Sequence, residues 1–430
     1  MQRVAMISYH TSPLAPLGGS ETGGMNVYVR QLSRELGQRG FLVDVFTRRQ
    51  DASTPDVIED GENVRVVHLE AGPRRPVDKG RLHQYLDQFE ENLIRFASAR
   101  TQTRVAGGRL AAAGEQGLTY DLLHSHYWLS GCVALRLQER WGLPHVTMFH
   151  TLGEVKNRAR VTEHEAPLRI RVEHRLARQA DRIVCASQHE KHLLARLYDA
   201  DPDRIAVVPC GVDLDLFRPR DKEAARRALG YSDERIILFV GRIEPLKGID
   251  ILINAAAQLG EESDFHVLIV GGDRRSRQQV SHLQELASDL GIGERVCFLG
   301  AVDHEQLPLY YNAADVCVVP SFYESFGLVA LEAMACGTPV VASRVGGLTG
   351  TVRDGETGYL ISWRCPEPFA ERLELLLGNE ALRRRFGEAA REVVEHYRWA
   401  NVAEAMVGLY RELLGEARPQ AGAALSSAAT

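Results

Sequence analysis

No run of 18 or more apolar residues occurs in the sequence, so nothing in it reads as a membrane-spanning helix. A basic excess is also missing. The 51 lysines and arginines stand against 57 aspartates and glutamates, a formal net charge of −6. That balance excludes the broad positive field of a nucleic-acid binder, and any anionic ligand must be gripped by a local cluster of cations. Cysteine is sparse and scattered: Cys132, Cys185, Cys210, Cys297, Cys317, Cys336 and Cys365 contain no C-x-x-C pair. An odd, dispersed set favours neither a disulfide frame nor a zinc site, and points to free buried thiols in a reducing cytoplasm. The opening MQRVAMISYH has no basic segment followed by a long apolar stretch, so no cleaved signal peptide is expected.

What is present is an ordinary globular composition, 45% apolar and 25% charged, which excludes disorder for the bulk of the chain. Its 430 residues suit two or three domains at about 100–200 residues each. Short β-branched runs are expected as strands at 4–9, 42–47, 64–69, 120–124, 145–149, 182–185 and 205–208. Helical stretches at 25–39, 81–99 and 167–180 separate several of them. Continuous apolar strands alternating with helices indicate a parallel sheet covered on both faces. The pattern breaks at Val208-Pro209-Cys210-Gly211 and restarts with strands at 236–240, 265–270, 296–299, 316–319, 339–342 and 359–361. Two doubly wound α/β halves joined near 209–220 account for this. An amphipathic stretch at about 399–414 follows the last strand, and 416–430, rich in Ala, Ser and Gly, reads as a disordered tail. The Ala/Gly-rich stretch 105–117 reads as an insertion without chemistry.

Several segments carry chemistry. Gly18-Gly19-Ser20-Glu21-Thr22-Gly23-Gly24-Met25-Asn26 follows the first strand and opens a helix, a place where backbone N–H groups can meet an anion. It is neither G-x-G-x-x-G nor a Walker A loop, and the plain alternative is a glycine-rich surface turn. Gly241-Arg242-Ile243-Glu244-Pro245-Leu246-Lys247-Gly248 places two cations after the first strand of the second half, where open α/β sheets bind ligands. Arginine forks onto phosphate oxygens and lysine adds a mobile point charge, so a diphosphate is the natural target. The run from Pro320 to Ala333 again follows a strand. Glu324 falls on its loop, Glu332 in the first turns of the following helix, and free N–H groups are expected beside Phe326, Gly327 and Leu328.

Histidines stand at strand ends at His10, His126 and His150. The His124-x-His126 pair lacks a third ligand at suitable spacing, so no metal site is expected. His150 ends the run HVTMFH and should face the cleft between the halves. The segment 154–178 holds seven cations, Lys156, Arg158, Arg160, Arg169, Arg171, Arg175 and Arg178, against Glu154, Glu163, Glu165 and Glu173. Most of it reads as a solvated helix face.

Together these segments resemble the retaining glycosyltransferases of family 4, over nearly the whole chain from Val4 to about Leu414. The strongest marks are Gly241-Arg242…Lys247-Gly248 and the Glu324-x7-Glu332 pair. The first half looks like the D-inositol-3-phosphate glycosyltransferases of mycothiol synthesis. It does so through His10-Thr11-Ser12-Pro13-Leu14, Gly23-Gly24-Met25-Asn26-Val27-Tyr28-Val29, His124-Ser125-His126-Tyr127-Trp128-Leu129-Ser130-Gly131 and His150-Thr151-Leu152. Sucrose-phosphate synthases are close relatives of that group.

The resemblance implies the GT-B fold, two facing Rossmann-like doubly wound parallel-sheet domains. Residues 1–210 would bind the acceptor and 211–395 the nucleotide sugar, with a C-terminal helix at 396–415 packing back across both. It implies a UDP-sugar donor carrying glucose or N-acetylglucosamine, and a phosphorylated small-molecule acceptor such as inositol phosphate. Sucrose-phosphate synthase-like transfer to fructose 6-phosphate, and epimerisation of a UDP-sugar, are the alternatives. Arg242 and Lys247 would hold the diphosphate, Glu332 the ribose and Glu324 the transferred sugar. Gly24 would close over the donor and His150 would touch the sugar near the reacting carbon. Lys79, Tyr127, Thr151 and Arg171 match positions that grip the acceptor phosphate, with Asn26 and His10 near its ring. Arg74, Arg75 and Arg81 are substitutes for Lys79. No protein nucleophile and no cofactor are implied for the chemistry; a magnesium ion and a homodimer are left open. The location expected is cytoplasmic.

Overall fold

A computed structural model of the chain describes residues 1–15, 23–103, 120–159, 165–260, 264–362 and 365–415. The expected insertion at 105–117, the tail at 416–430 and residues Gly18 to Thr22 lie outside these. The chain divides into two compact units, each built on one sheet.

The first unit comprises Met1–Ala15, Met25–Val208 and the chain from Val402 onward. Its strands are β1 (Arg3–Ile7), β2 (Leu42–Arg48), β3 (Val57–Glu59), β4 (Val64–Leu69), β5 (Leu122–His126), β6 (His145–Met148), β7 (Arg182–Cys185) and β8 (Ile205–Val207). They run in the order β3-β4-β2-β1-β5-β6-β7-β8, every pair parallel except β3 with β4. The order reverses between β1 and β5, which makes the carboxyl ends of those strands the place for a ligand.

The second unit, centred on Pro209–Asn401, holds β9 (Arg235–Val240), β10 (Phe265–Val270), β11 (Val296–Gly300), β12 (Val316–Val319), β13 (Val340–Ser343) and β14 (Gly358–Ile361). All are parallel, in the order β11-β10-β9-β12-β13-β14, and the reversal falls between β9 and β12. The Val/Ile/Leu runs of β9, β10, β12 and β13 are buried almost throughout because helices cover both faces. The doubly wound parallel architecture expected from the alternation is therefore present in both units.

Three local expectations shift. The strand expected at 120–124 forms at Leu122–His126, because Tyr120 turns its hydroxyl onto Asp44 at 2.7 Å while the polar His-Ser-His end enters the sheet fully buried. Ser125 makes this tolerable by bonding to His145 Nε2 at 2.8 Å and to Thr147 Oγ1 at 3.0 Å. The helix expected at 81–99 begins as a 3₁₀ turn, Lys79–Tyr85, capped by Asp78, and continues as Leu86–Thr103. The half-exposed edge strand β3 is too short to leave a pattern.

The helix Trp399–Leu413 is continuous; its first three residues group with the second unit and the remainder with the first. Gly211 abuts its Trp399, where a Cβ would come 2.5 Å from the ring. Tyr410, fully buried, bonds to His124 Nδ1 at 2.6 Å, and Glu412 pairs with Arg182 at 2.8 Å.

One carboxylate ties the second unit together. Asp315, just before β12 and fully buried, accepts from Lys222 Nζ (2.8 Å), Arg226 Nη2 (2.5 Å) and the Ile236 N–H (2.8 Å). Arg383 Nε lies at 3.3 Å. These cations come from two helices, Lys222–Leu229 and Glu380–Val394, so the aspartate joins them to β9 and β12. Burial pushes its pKa up, but the surrounding cations outweigh that and hold it below the usual carboxylate value. Asp315→Ala would leave buried guanidinium groups unpaired and is expected to cost ~3–5 kcal/mol in urea melts. A loss under ~1 kcal/mol would contradict the hub.

Candidate donor and acceptor sites

In the second unit, the strand-end segments of β9 and β12 are held against each other by backbone. Phe322 N–H donates to Leu246 O at 2.8 Å, and Gly248, at φ +64°, would place a Cβ 2.2 Å from Pro320 O. Only glycine permits that approach. It brings Lys247 Nζ to 2.6 Å from Glu324 Oε2, both side chains less than one-fifth exposed. Arg242, 40% exposed, reaches Glu244 Oε1 at 3.0 Å. Gly327 (φ +97°) precedes the helix Leu328–Ala335 without a side-chain cap, so the opening N–H groups at Leu328 and Val329 point out of the helix. Phe326 packs beneath, edge-on to Tyr397 at 5.9 Å. Two cations, each paired with a carboxylate, and a helix N-terminus thus lie at one strand-end edge, a set suited to a diphosphate that displaces those pairings.

Glu332 sits in the second turn of that helix and is only 6% exposed. Both its oxygens are engaged: Oε1 accepts from His304 Nε2 at 3.0 Å and Oε2 from the Tyr311 hydroxyl at 2.7 Å. Phe217 packs edge-on against both partners. Burial alone would lower the His304 pKa, but its hydrogen bond to Glu332 and that carboxylate's charge raise it above the ordinary value.

In the first unit, a second set of groups surrounds Tyr127, which begins the helix Tyr127–Trp141 at φ +76°. Lys79 Nζ lies 4.3 Å from its ring centroid and Arg169 Cζ 4.9 Å, so two cations lie over one aromatic ring. His10 packs on the same ring at 4.5 Å. Arg169 Nη2 donates to Thr151 O (2.7 Å) and Oγ1 (3.0 Å), and its Nε to Glu173 Oε1 at 2.6 Å. Glu173 Oε2 in turn accepts from Gly153 N–H at 2.9 Å. Asn26 donates to Thr11 Oγ1 (2.8 Å) and Ser12 O (2.7 Å), fixing the loop after β1. Gly24 opens the helix Gly24–Gln38. His150 stands at φ +59° after β6, and its Nε2 meets His126 Nδ1 at 2.9 Å. Of four non-glycine residues with left-handed φ among the described residues, two, Tyr127 and His150, fall in this group.

Arg171 is not brought to this group. It is exposed on the helix Pro167–Gln179, and the cation that meets Tyr127 and Thr151 is Arg169, one of the seven in the segment 154–178. Two residues along a helix are ~200° apart, so the two arginines point in opposite directions. The signal was the spacing Arg169, Glu173, Leu176 and Ala177, one buried face at i, i+4, i+7 and i+8. Elsewhere in 154–178, Lys156 pairs with Glu165 and Arg175 with Glu139; Arg160 and Glu163 lie outside the described residues. Arg74, Arg75 and Arg81 are exposed, whereas Lys79 is half-buried. Among the described residues no three His, Cys, Asp or Glu side chains are arranged to hold a metal, and no helix is long and apolar enough to cross a membrane.

Comparison with known proteins matches residues 22–216 to the model described as Glycosyltransferase Family 4 and residues 221–393 to Glycosyl transferases group 1. The chain is 43% identical to the D-inositol 3-phosphate glycosyltransferase of Acidothermus cellulolyticus, over 99% of this chain and 94% of that protein. Against the one from Corynebacterium diphtheriae it is 41% identical, covering 95% and 94%. Among solved structures, sucrose-phosphate synthase from Thermosynechococcus elongatus superposes with a TM-score of 0.86 at 37% identity, covering 96% of this chain and all of that one. Anabaena HepE in complex with UDP-glucose shares the fold at a TM-score of 0.73 and 20% identity, covering 96% of this chain and all of that one.

The imidazoles of the first unit give a pH signature. Burial holds His124, His145 and His150 down at about 3 and keeps His126 and His10 well below the ordinary 6.5, with Lys79 adding to the effect at His10. Groups with depressed basic pKa values contribute fully above the unfolded value, and lose that contribution as pH falls toward the folded one. Urea melts are therefore expected to show stability falling steadily from pH 6.5 to 5. A flat profile over that interval would contradict the buried neutral state.

Proposed function

The chain belongs to the family 4 glycosyltransferases of the GT-B fold, and from that membership we propose that it moves a hexosyl group from a UDP-sugar to a phosphorylated polyol with retention of configuration. The supporting observation is the pair of separate cation groups, one in each unit, in a chain whose net charge is −6. In this reading Arg242 and Lys247 grip the donor diphosphate, aided by the N–H groups after Gly327. Glu332, oriented by His304 and Tyr311, accepts from the ribose hydroxyls through its remaining lone pairs. Glu324, released from Lys247 when phosphate replaces it, accepts from the transferred sugar.

On the acceptor side, Lys79 and Arg169 hold the phosphate above Tyr127, with Thr151 beside it and His10 and Asn26 near the polyol ring. No carboxylate is assigned as nucleophile. The acceptor hydroxyl attacks from the face the diphosphate leaves, and its proton passes to the departing phosphate oxygen as the glycosidic C–O bond breaks. Catalysis is then positioning plus stabilisation of the leaving charge by fixed cations, which needs no further cofactor. The reaction would run in the cytoplasm, where UDP-sugars are made available.

Inositol phosphate is the acceptor we favour, because relatives named for it are 41–43% identical over nearly the whole chain. Fructose 6-phosphate is the second reading, supported by the fit to sucrose-phosphate synthase. A product assay crossing UDP-glucose and UDP-N-acetylglucosamine with D-inositol 3-phosphate and fructose 6-phosphate is expected to give transfer to inositol phosphate. Product from fructose 6-phosphate alone would move the assignment to the second reading, and donor epimerisation without acceptor would overturn transfer. Lys247→Ala is expected to lower kcat ~10²–10³-fold. Lys79→Ala should raise the acceptor KM far more than the donor KM, while the exposed Arg171→Ala changes neither. Equal effects on both substrates would refute the acceptor role of Lys79.

A further inference from the structure

His126 ends β5 and His150 stands two residues beyond β6, the neighbouring strand, in register with it. The 2.9 Å line from His126 Nδ1 to His150 Nε2 holds one proton, because burial keeps both rings neutral. Which ring owns it is decided at the far side of His126. Its Nε2 is buried and has no hydrogen-bond partner among the described residues. Had His150 donated the shared proton, His126 would carry its own on Nε2, a buried N–H with no acceptor. If His126 donates, Nε2 is a bare acceptor, and buried acceptors without a partner are tolerated more often than orphaned N–H groups. Tyr28 lies edge-on to both rings, at 5.8 and 5.3 Å, and His124 packs on His126 at 4.2 Å, so neither ring is free to turn. The other nitrogen of His150, Nδ1, has no partner among the described residues.

We propose that His126 is a positioning residue that locks His150 in the Nδ1–H tautomer, so that His150 presents a neutral N–H donor to an oxygen of the bound sugar. In this state His150 neither takes a proton from the acceptor nor carries a charge beside the reacting carbon. It recognises a lone pair, that of a hydroxyl or ring oxygen. The tautomer follows from the packing alone; its catalytic consequence rests on the glycosyl-transfer reading.

The test begins with the full-length wild-type protein labelled with ¹⁵N-histidine. Two-bond ¹H–¹⁵N spectra near pH 7.5, assigned by signals lost in His150→Gln and His126→Asn, should show His150 protonated at Nδ1 and bare at Nε2. Kinetics supply the second arm. His126→Phe removes the donor and is expected to lower kcat ~10²-fold, the scale of a small misplacement at a reacting centre. His126→Asn, whose amide N–H stands where Nδ1–H stood, should recover most of that loss, which a merely space-filling role for His126 would not predict. A His150 proton on Nε2 would overturn the tautomer. Phe and Asn variants equally impaired, or a Phe variant as fast as wild type, would overturn the positioning role. Neither result would touch the product assay that tests the transfer reading.

Discussion

A cation waiting for a phosphate must be held in place without being neutralised for good, and that constraint shapes both units. Lys247 is parked on Glu324 at 2.6 Å, Arg242 on Glu244 at 3.0 Å and Arg169 on Glu173 at 2.6 Å. Carboxylates hold these cations, Arg169 through both Glu165 and Glu173, and a phosphate brings more charge and more acceptor oxygens than any one of them. The backbone does the placing: Gly248 against Pro320 fixes the segment that carries Lys247, and left-handed turns set Tyr127 and His150. Because the remaining surface is net acidic, these clusters attract anions locally rather than through a global field.

Around Tyr127 the chain uses the opposite device, polar groups kept uncharged. His10, His124, His126 and His145 are buried in the sheet end or beside it, His150 is partly buried, and desolvation keeps every one of them neutral. Neutral imidazoles can donate or accept in fixed directions without competing with Lys79 and Arg169 for an incoming phosphate. The second unit does the reverse at His304, where the hydrogen bond to Glu332 and that carboxylate's charge raise the imidazole pKa against the effect of burial.

The alternation of apolar strands with helices made both doubly wound sheets legible, and the glycine-flanked cations at 241–248 marked the strand end of β9. What stayed hidden were pairings that no local pattern encodes. Asp315 gathers cations from residues 222, 226 and 383, far apart in the chain and each unremarkable alone. The His126–His150 contact joins the ends of neighbouring strands, so nothing along the sequence points one histidine to the other. Arg169 was missed for a different reason: a helix rich in arginines reads as solvated until its buried face is counted, and Arg171 lies only two positions away on the opposite side. The shift of β5 arose because polar His-Ser-His does not look like strand until the bonds of Ser125 to β6 are seen.

The central claim is that the two cation groups act as separate phosphate grips. Calorimetric titration of UDP into the full-length protein tests it most directly, with wild type, Lys247→Ala and Lys79→Ala compared at one salt concentration. The account predicts that Lys247→Ala removes measurable UDP binding while Lys79→Ala keeps close to wild-type affinity. Equal weakening by both substitutions would contradict it.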